Sequence, residues 1–189
     1  LTSPGAALRL TKIGASLSPG ELLAAAHVLR ISRLTKAYFD MRDFETDYPL
    51  LSMYAHRLSE NRAVEQKIFD CIISEDEIDD NASDALFSIR RKKNSLTNKV
   101  KDILTDIIHS SSYSQMLREP IVSMRGDRYV VPVKSEYRSS FKGVVHDTSQ
   151  TGGTVFIEPL KVVETNNEIR ELAGREKEEI DRILAELST

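Results

Sequence analysis

Apolar residues recur at two different periods along this chain, and the change of period divides it. Ser18-Pro19-Gly20-Glu21 combines a Ser N-cap, Pro at the first helical position and Glu three residues after the cap, predicting a helix from about Pro19 to Met41. Leu22, Leu23, Ala26, Leu29, Ile31, Leu34 and Tyr38 spread widely around that helix, so it is expected to be buried on more than one side. Asp47-Tyr48-Pro49 opens a second helix, broken around Glu60-Asn61, with Leu50, Leu51, Tyr54, Leu58, Ala63, Ile68, Cys71 and Ile72 as its buried positions. From Ser83, Leu86, Ile89, Leu96, Val100, Ile103 and Ile107 follow at helical spacing and predict a long helix to about His109. After Pro159 a second seam, Val162, Asn166, Ile169, Ala173, Glu176, Ile180, Ile183 and Leu187, repeats that spacing with Glu176 as its polar exception.

Between the two seams the period drops to that of strands. Ile121 to Arg125 and Arg128 to Lys134 are separated by Gly126-Asp127, a hairpin signal. Phe141 to Thr148 and Thr154 to Ile157 form a second pair around Ser149-Gln150-Thr151-Gly152-Gly153. The fold class is therefore mainly α with a small antiparallel β insertion: a helical core, then two long helices lying antiparallel as a stalk that carries the β region at its tip.

Charge adds to this picture. The net charge is −3, but residues 1–82 carry 9 basic and 13 acidic side chains, residues 83–120 carry 7 and 4, residues 121–157 carry 5 and 3, and residues 158–189 carry 5 and 9. The basic excess lies in the middle, where a phosphate-bearing partner would meet it. Arg90, Arg91, Lys92, Lys93, Lys99 and Lys101 are expected on the solvated face of the first long helix. The acidic run Glu75 to Asp80 lacks the Gly and terminal Glu of a calcium loop and reads as a solvated turn.

The chemistry of a self-contained enzyme is missing. There is no phosphate-binding GxxxxGK[ST] loop, no HExxH and no CxxC, and His27, His56, His109 and His146 fall on separate elements. His146-Asp147 with Ser149 does not make a triad, because adjacent strand residues point to opposite faces. Cys71, the single cysteine, reads as a small buried hydrophobe, and a chain without disulfides or an apolar leader is expected in the cytoplasm with no membrane span. The absent initial Met and a C-terminal run, Ile183 to Leu187, that ends in mid-periodicity suggest a piece of a longer protein.

Arg128-Tyr129-Val130-Val131-Pro132-Val133-Lys134, Glu136-Tyr137-Arg138, Gly143-Val144-Val145-His146-Asp147-Thr148-Ser149, and Gly152 with Thr154 through Pro159 closely resemble the bacterial MutS-II family, as do Asn166 to Leu172, Gly20 to Leu23 and Ser88 to Arg91. Gly126 and Gly153 depart slightly from its commoner pattern. The resemblance implies a core region over 1–82, a first lever helix over 83–120, a clamp-like β subdomain over 121–158 and part of a second lever helix over 159–189. It also implies a dimeric parent whose ATPase domain, using ATP and Mg, and nuclease domain lie outside this chain, so no cofactor is expected in these residues and catalytic residues are none. Family partners are branched or recombination-intermediate DNA and stalled, collided ribosomes with their rRNA. Phe156-Ile157-Glu158 has the letters of the Phe-x-Glu mismatch motif of the wider MutS superfamily, but on a clamp strand, where Phe156 is expected to pack into the small sheet's core.

Two readings of the β region follow. In one, Arg125, Arg128, Lys134, Arg138 and Lys142 contact phosphates of nucleic acid, while His146, Asp147, Ser149 and Gly152 shape the turn. In the other, the chain is a purely structural module for homodimerisation and transmission of motion, with no direct nucleic-acid contact.

Overall fold

A computed structural model describes residues 5–41 and 44–189. The chain is mainly α-helical with two small antiparallel sheets. In order, its elements are α1 (Gly5–Lys12), α2 (Pro19–Asp40), α3 (Phe44–Asp47), α4 (Pro49–His56), α5 (Arg62–Cys71), β1 (Ile72–Ser74), β2 (Glu77–Ile78), α6 (Asp84–His109), α7 (Ser111–Ser114), β3 (Ser123–Arg125), β4 (Arg128–Lys134), β5 (Gly143–Thr148), β6 (Thr154–Pro159) and α8 (Leu160–Leu187). They fall into two compact units. The first runs up to Phe87 and takes in Glu178–Thr189; the second is Ser88–Lys177.

In the first unit, Ser18 caps α2 as expected: its hydroxyl accepts from the Glu21 N–H at 3.3 Å, and the Glu21 carboxylate accepts from the Ser18 N–H at 2.9 Å. Asn61 caps α5 through the Val64 N–H at 3.2 Å, which is why the expected break falls there. Leu17, Leu22, Ala26, Ile68, Cys71, Ile72, Ile78, Leu86 and Ile183 form the core of this unit. Burial pushes the Cys71 thiol up, consistent with a packed side chain rather than a nucleophile.

Two expectations fail in this unit. Only Leu22 and Ala26 of α2 are buried, while Ile31, Leu34 and Tyr38 are about half exposed. On α4 the buried residues are Ser52 and Ala55, not Leu50, Leu51 and Tyr54. Small residues three apart let a short helix approach its neighbour closely, and the larger side chains are left outside. The acidic run does hold an exposed turn, at Glu75-Asp76, which joins β1 to β2, and Asp79 caps the next turn through the Asn81 N–H at 2.7 Å.

In the second unit the strand order is β3-β4-β6-β5. Val131 pairs with Ile157 and Val133 with Val155. These four turn to one face and join Val100, Leu104 and Ile107 of α6 with Val162 and Ile169 of α8, so the sheet lies on the flanks of both helix segments. The first long helix ends at His109, as expected. The chain then folds back, and Leu117 bridges Val133 while the Arg118 N–H donates to the Pro132 carbonyl at 2.9 Å, covering part of the edge of β4.

Gly143 is fixed by close approach. It pairs with Pro159, and a Cβ there would run into the Glu158 carbonyl oxygen and the Ile157 side chain. Gly126 and Gly152 lie at φ 61° and 71°, as the turns at the two hairpins require.

Candidate nucleic-acid interface

Strand alternation puts Arg128, Val130, Pro132 and Lys134 of β4 on the face opposite the packed valines, beside Thr154, Phe156 and Glu158 of β6. The five cations expected to meet phosphate share this region but not one environment. Arg128 turns inward: its Nη1 donates to Glu158 Oε1 at 3.1 Å, and its side chain is only 14% exposed. Glu158 itself is 1% exposed. Its Oε1 also accepts from Asn166 Nδ2 at 2.6 Å and its Oε2 from His146 Nε2–H at 2.6 Å. A carboxylate this deep needs every lone pair answered, and residues of β4, β5 and α8 converge on it to do so.

Arg125 is held differently. Its guanidinium carbon lies 3.5 Å from the centroid of the Phe156 ring, its Nε forms an ion pair with Asp147 Oδ2 at 3.1 Å, and its Nη1 donates to the Met124 carbonyl at 2.8 Å. Phe156 is half-buried beneath this guanidinium, outside the sheet's core cluster, contrary to expectation. On a strand that presents Val155 and Ile157 to the helices, Phe156 must face the other way. Lys134 Nζ donates to the Gln115 carbonyl at 2.8 Å and keeps other N–H groups free to donate. Arg138 and Lys142, between β4 and β5, are exposed, and their side chains have no partner among the described residues.

Of the residues expected to shape the turn, Ser149 and Gly152 sit in it. Ser149 Oγ accepts from the Thr154 N–H at 3.0 Å, and the Gly152 N–H donates to the Ser149 carbonyl at 2.8 Å. His146 and Asp147 precede it, and a bulge between Val145 and Asp147 sends them to Glu158 and Arg125 respectively. The His-Asp-Ser cluster is thus divided among three partners.

The basic run of α6 is also divided. Arg90 reaches Glu176 at 2.8 Å and Lys93 pairs with the same carboxylate, so these two face α8, whereas Lys92 pairs with Glu168 and stays exposed to solvent. Burial works to raise the Glu176 carboxyl, but hydrogen bonds from Lys93 and Arg90 outweigh it and hold the group below its ordinary value. Arg91 and Lys99 remain exposed.

Glu158 and Asn166 are the site residues that sequence reasoning left without a role. The signal was present: an acid ending the apolar strand Val155-Phe156-Ile157, and an amide at a buried position of the α8 seam. Among the described residues, no group of three or more His, Cys, Asp or Glu is placed to hold a metal, and no helix is long and apolar enough to cross a membrane.

No protein-family model matches the chain. A protein named Endonuclease MutS2 from Acetivibrio thermocellus is 49% identical over 182 residues, covering 96% of this chain and 23% of that protein. Endonuclease MutS2 of Ruminiclostridium cellulolyticum is 49% identical over 181 residues with the same coverage, and that of Clostridioides difficile is 47% identical over 177 residues, covering 93% of this chain and 22% of the relative. The chain thus spans less than a quarter of the length of these relatives. Over nearly its whole length it is homologous to one segment of the MutS-II family proteins, the family its strand motifs resemble.

Proposed function

We propose that this chain is the non-catalytic core, lever and clamp segment of a MutS-II type protein, and that the sheet of the second unit contacts the phosphate backbone of nucleic acid. The supporting observation is the different occupation of its cations. Arg138 and Lys142 are exposed and their side chains have no partner among the described residues. Lys134 keeps donors free at the Thr154 end of β6 while Lys142 lies at its Pro159 end, whereas Arg128 is committed to Glu158. Phosphate contact is therefore assigned to Lys134, Arg138 and Lys142, with Arg128 as the residue that holds the strands in place. Such contacts are independent of sequence and sensitive to salt.

In this reading the nuclease and ATPase activities, with ATP and Mg, belong to parts of the parent outside these residues. The partner is branched DNA or the rRNA of a stalled ribosome, in the cytoplasm, and the parent acts as a homodimer. The paired helix segments serve as its scaffold. Binding of the chain to branched DNA and to ribosomes is measured across a salt series. On duplex DNA the logarithmic slope should change by about 0.9 for each phosphate contacted, and Arg138→Gln and Lys142→Gln should each reduce it by about 1. Salt-independent binding, or slopes unchanged in both variants, overturns the assignment.

A further inference from the structure

We propose that Arg125 and Phe156 form a stacking platform for an unpaired nucleobase. The inference rests on the nucleic-acid reading of the same sheet and names the part of the ligand that meets this spot.

The platform is built by three strands. The β3–β4 hairpin sets Arg125 opposite Arg128, and the β5–β6 pairing sets Asp147 opposite Phe156. The guanidinium is therefore held by three partners: its carbon lies 3.5 Å from the Phe156 ring centroid, its Nε is ion-paired with Asp147 at 3.1 Å and its Nη1 donates to the Met124 carbonyl at 2.8 Å. The Arg125 side chain is nevertheless 36% exposed. A planar group held by one face and two edges offers solvent its remaining face.

This arrangement suits a base better than a phosphate. A phosphate is recognised by the open N–H fork of an arginine, and here one donor is taken by the Met124 carbonyl while Asp147 sits beside Nε. The charge of Arg125 is also matched by Asp147, so its attraction for a polyanion is reduced. What remains is a flat, polarisable surface of fixed orientation, and arginine planes and aromatic rings are the side chains on which splayed, single-stranded bases stack. Because the side chain is ordered before the ligand arrives, little rotamer entropy is lost on binding. Pro132 pairs with Phe156, and Lys134 lies two residues further along β4 on the same face, roughly 7 Å away. Lys134 is thus the cation on this face of β4 that a strand stacked on Arg125 could meet through a phosphate.

The test compares binding of this chain to short fluorescent single-stranded oligonucleotides, in DNA and RNA versions, with oligonucleotides of the same length made abasic. The abasic strands keep every phosphate and lose only the stacking partner. Abasic substitution is expected to weaken binding about ten-fold. Arg125→Lys keeps the charge and removes the plane; it should cost a similar factor on intact strands and little on abasic ones. Wild-type chain should also quench 2-aminopurine placed in the strand, a readout that needs no variant. The tighter of the DNA and RNA versions identifies the sugar.

Equal, salt-sensitive binding of intact and abasic strands overturns the stacking inference and leaves the phosphate reading standing. Arg125→Lys behaving as wild type on intact strands, or an absence of 2-aminopurine quenching, also overturns it. An absence of salt-sensitive binding to any strand overturns the phosphate reading, and the stacking inference with it.

Discussion

Each unit buries a carboxylate against an arginine, and the two burials differ in kind. In the first unit, Glu65 of α5 receives Nε and Nη2 of Arg33 from α2 at 2.9 and 2.8 Å, a two-pronged clasp between two helices. Arg33 keeps 28% of its side chain exposed, so water can solvate it if the partner goes. In the second unit, Glu158 is shared by Arg128, His146 and Asn166, and four elements meet at one side chain. A single fork satisfies Glu65, whereas Glu158 is satisfied only when the sheet register and the position of α8 are both right. The first is a local clasp, and the second is a lock on tertiary structure.

The largest effect should therefore come from Glu158. Glu158→Ala leaves a nearly buried arginine without its counter-charge and is expected to cost ~3–5 kcal/mol. Urea denaturation gives the size, and hydrogen exchange should show protection lost across β4 to β6 before α2. Glu65→Ala should destabilise less, with losses confined to α2 and α5. Equal costs for the two variants would end the distinction drawn here.

Gly143→Ala tests the same lock without touching a charge. The added methyl would meet the backbone of β6 next to Glu158, so β5 must move away and take His146 with it. Overpacking of this kind costs ~1–3 kcal/mol, and the carbonyl in its path argues for the upper end. Retention of the wild-type urea midpoint would show that β5 can shift at no cost.

Acid should act most directly on the first unit and its α8 segment. Arg182 and Ser83 hydrogen-bond Glu179 and hold its carboxyl down to about 2 from an ordinary 4.5. Hydrogen bonds from Arg33 likewise lower Glu65, and hydrogen bonds from Lys67 lower Glu186. A carboxyl lowered by folding contributes stability above its unfolded value, and this is lost as pH falls through the folded value. Protection in this unit should therefore decline between about pH 4.5 and 2. Arg182→Ala should flatten that decline, and an unchanged profile in the variant would count against these pairs as its cause.

Much of this was legible in the sequence, and what was not has a physical reason. The α2 cap, the α5 cap and both large hairpins follow from local rules, in which residues a few positions apart satisfy one another. The class of fold, mainly α with a small antiparallel sheet, follows from the change in period. The lock on Glu158 was hidden because its members are separated by 8 to 30 residues, and no periodicity links an acid at a strand end to an amide in a helix seam. Arg128 looked like a phosphate ligand for the same reason, since its partner is visible only once the strands are paired. Phe156 looked like core because aromatic strand residues usually are, yet alternation with Val155 and Ile157 places it on the outer face.

The smallest effect separates local from tertiary stabilisation most cleanly. Ser18 and Glu21 answer each other across the first turn of α2, each oxygen accepting the other's backbone N–H. Ser18→Ala removes the acceptor for the Glu21 N–H and should cost ~1 kcal/mol, the usual value of a helix cap. It leaves Leu22 and Ala26, the residues that bury α2, in place, so hydrogen exchange should accelerate in the first turn of α2 and little elsewhere. Ser18→Asp restores an acceptor but sets a second carboxylate beside Glu21, so it should recover only part of the loss. If Ser18→Ala instead loosened α5 as well, the cap would be acting through the packing of α2 on the core, and the contrast with Glu158 would be one of degree.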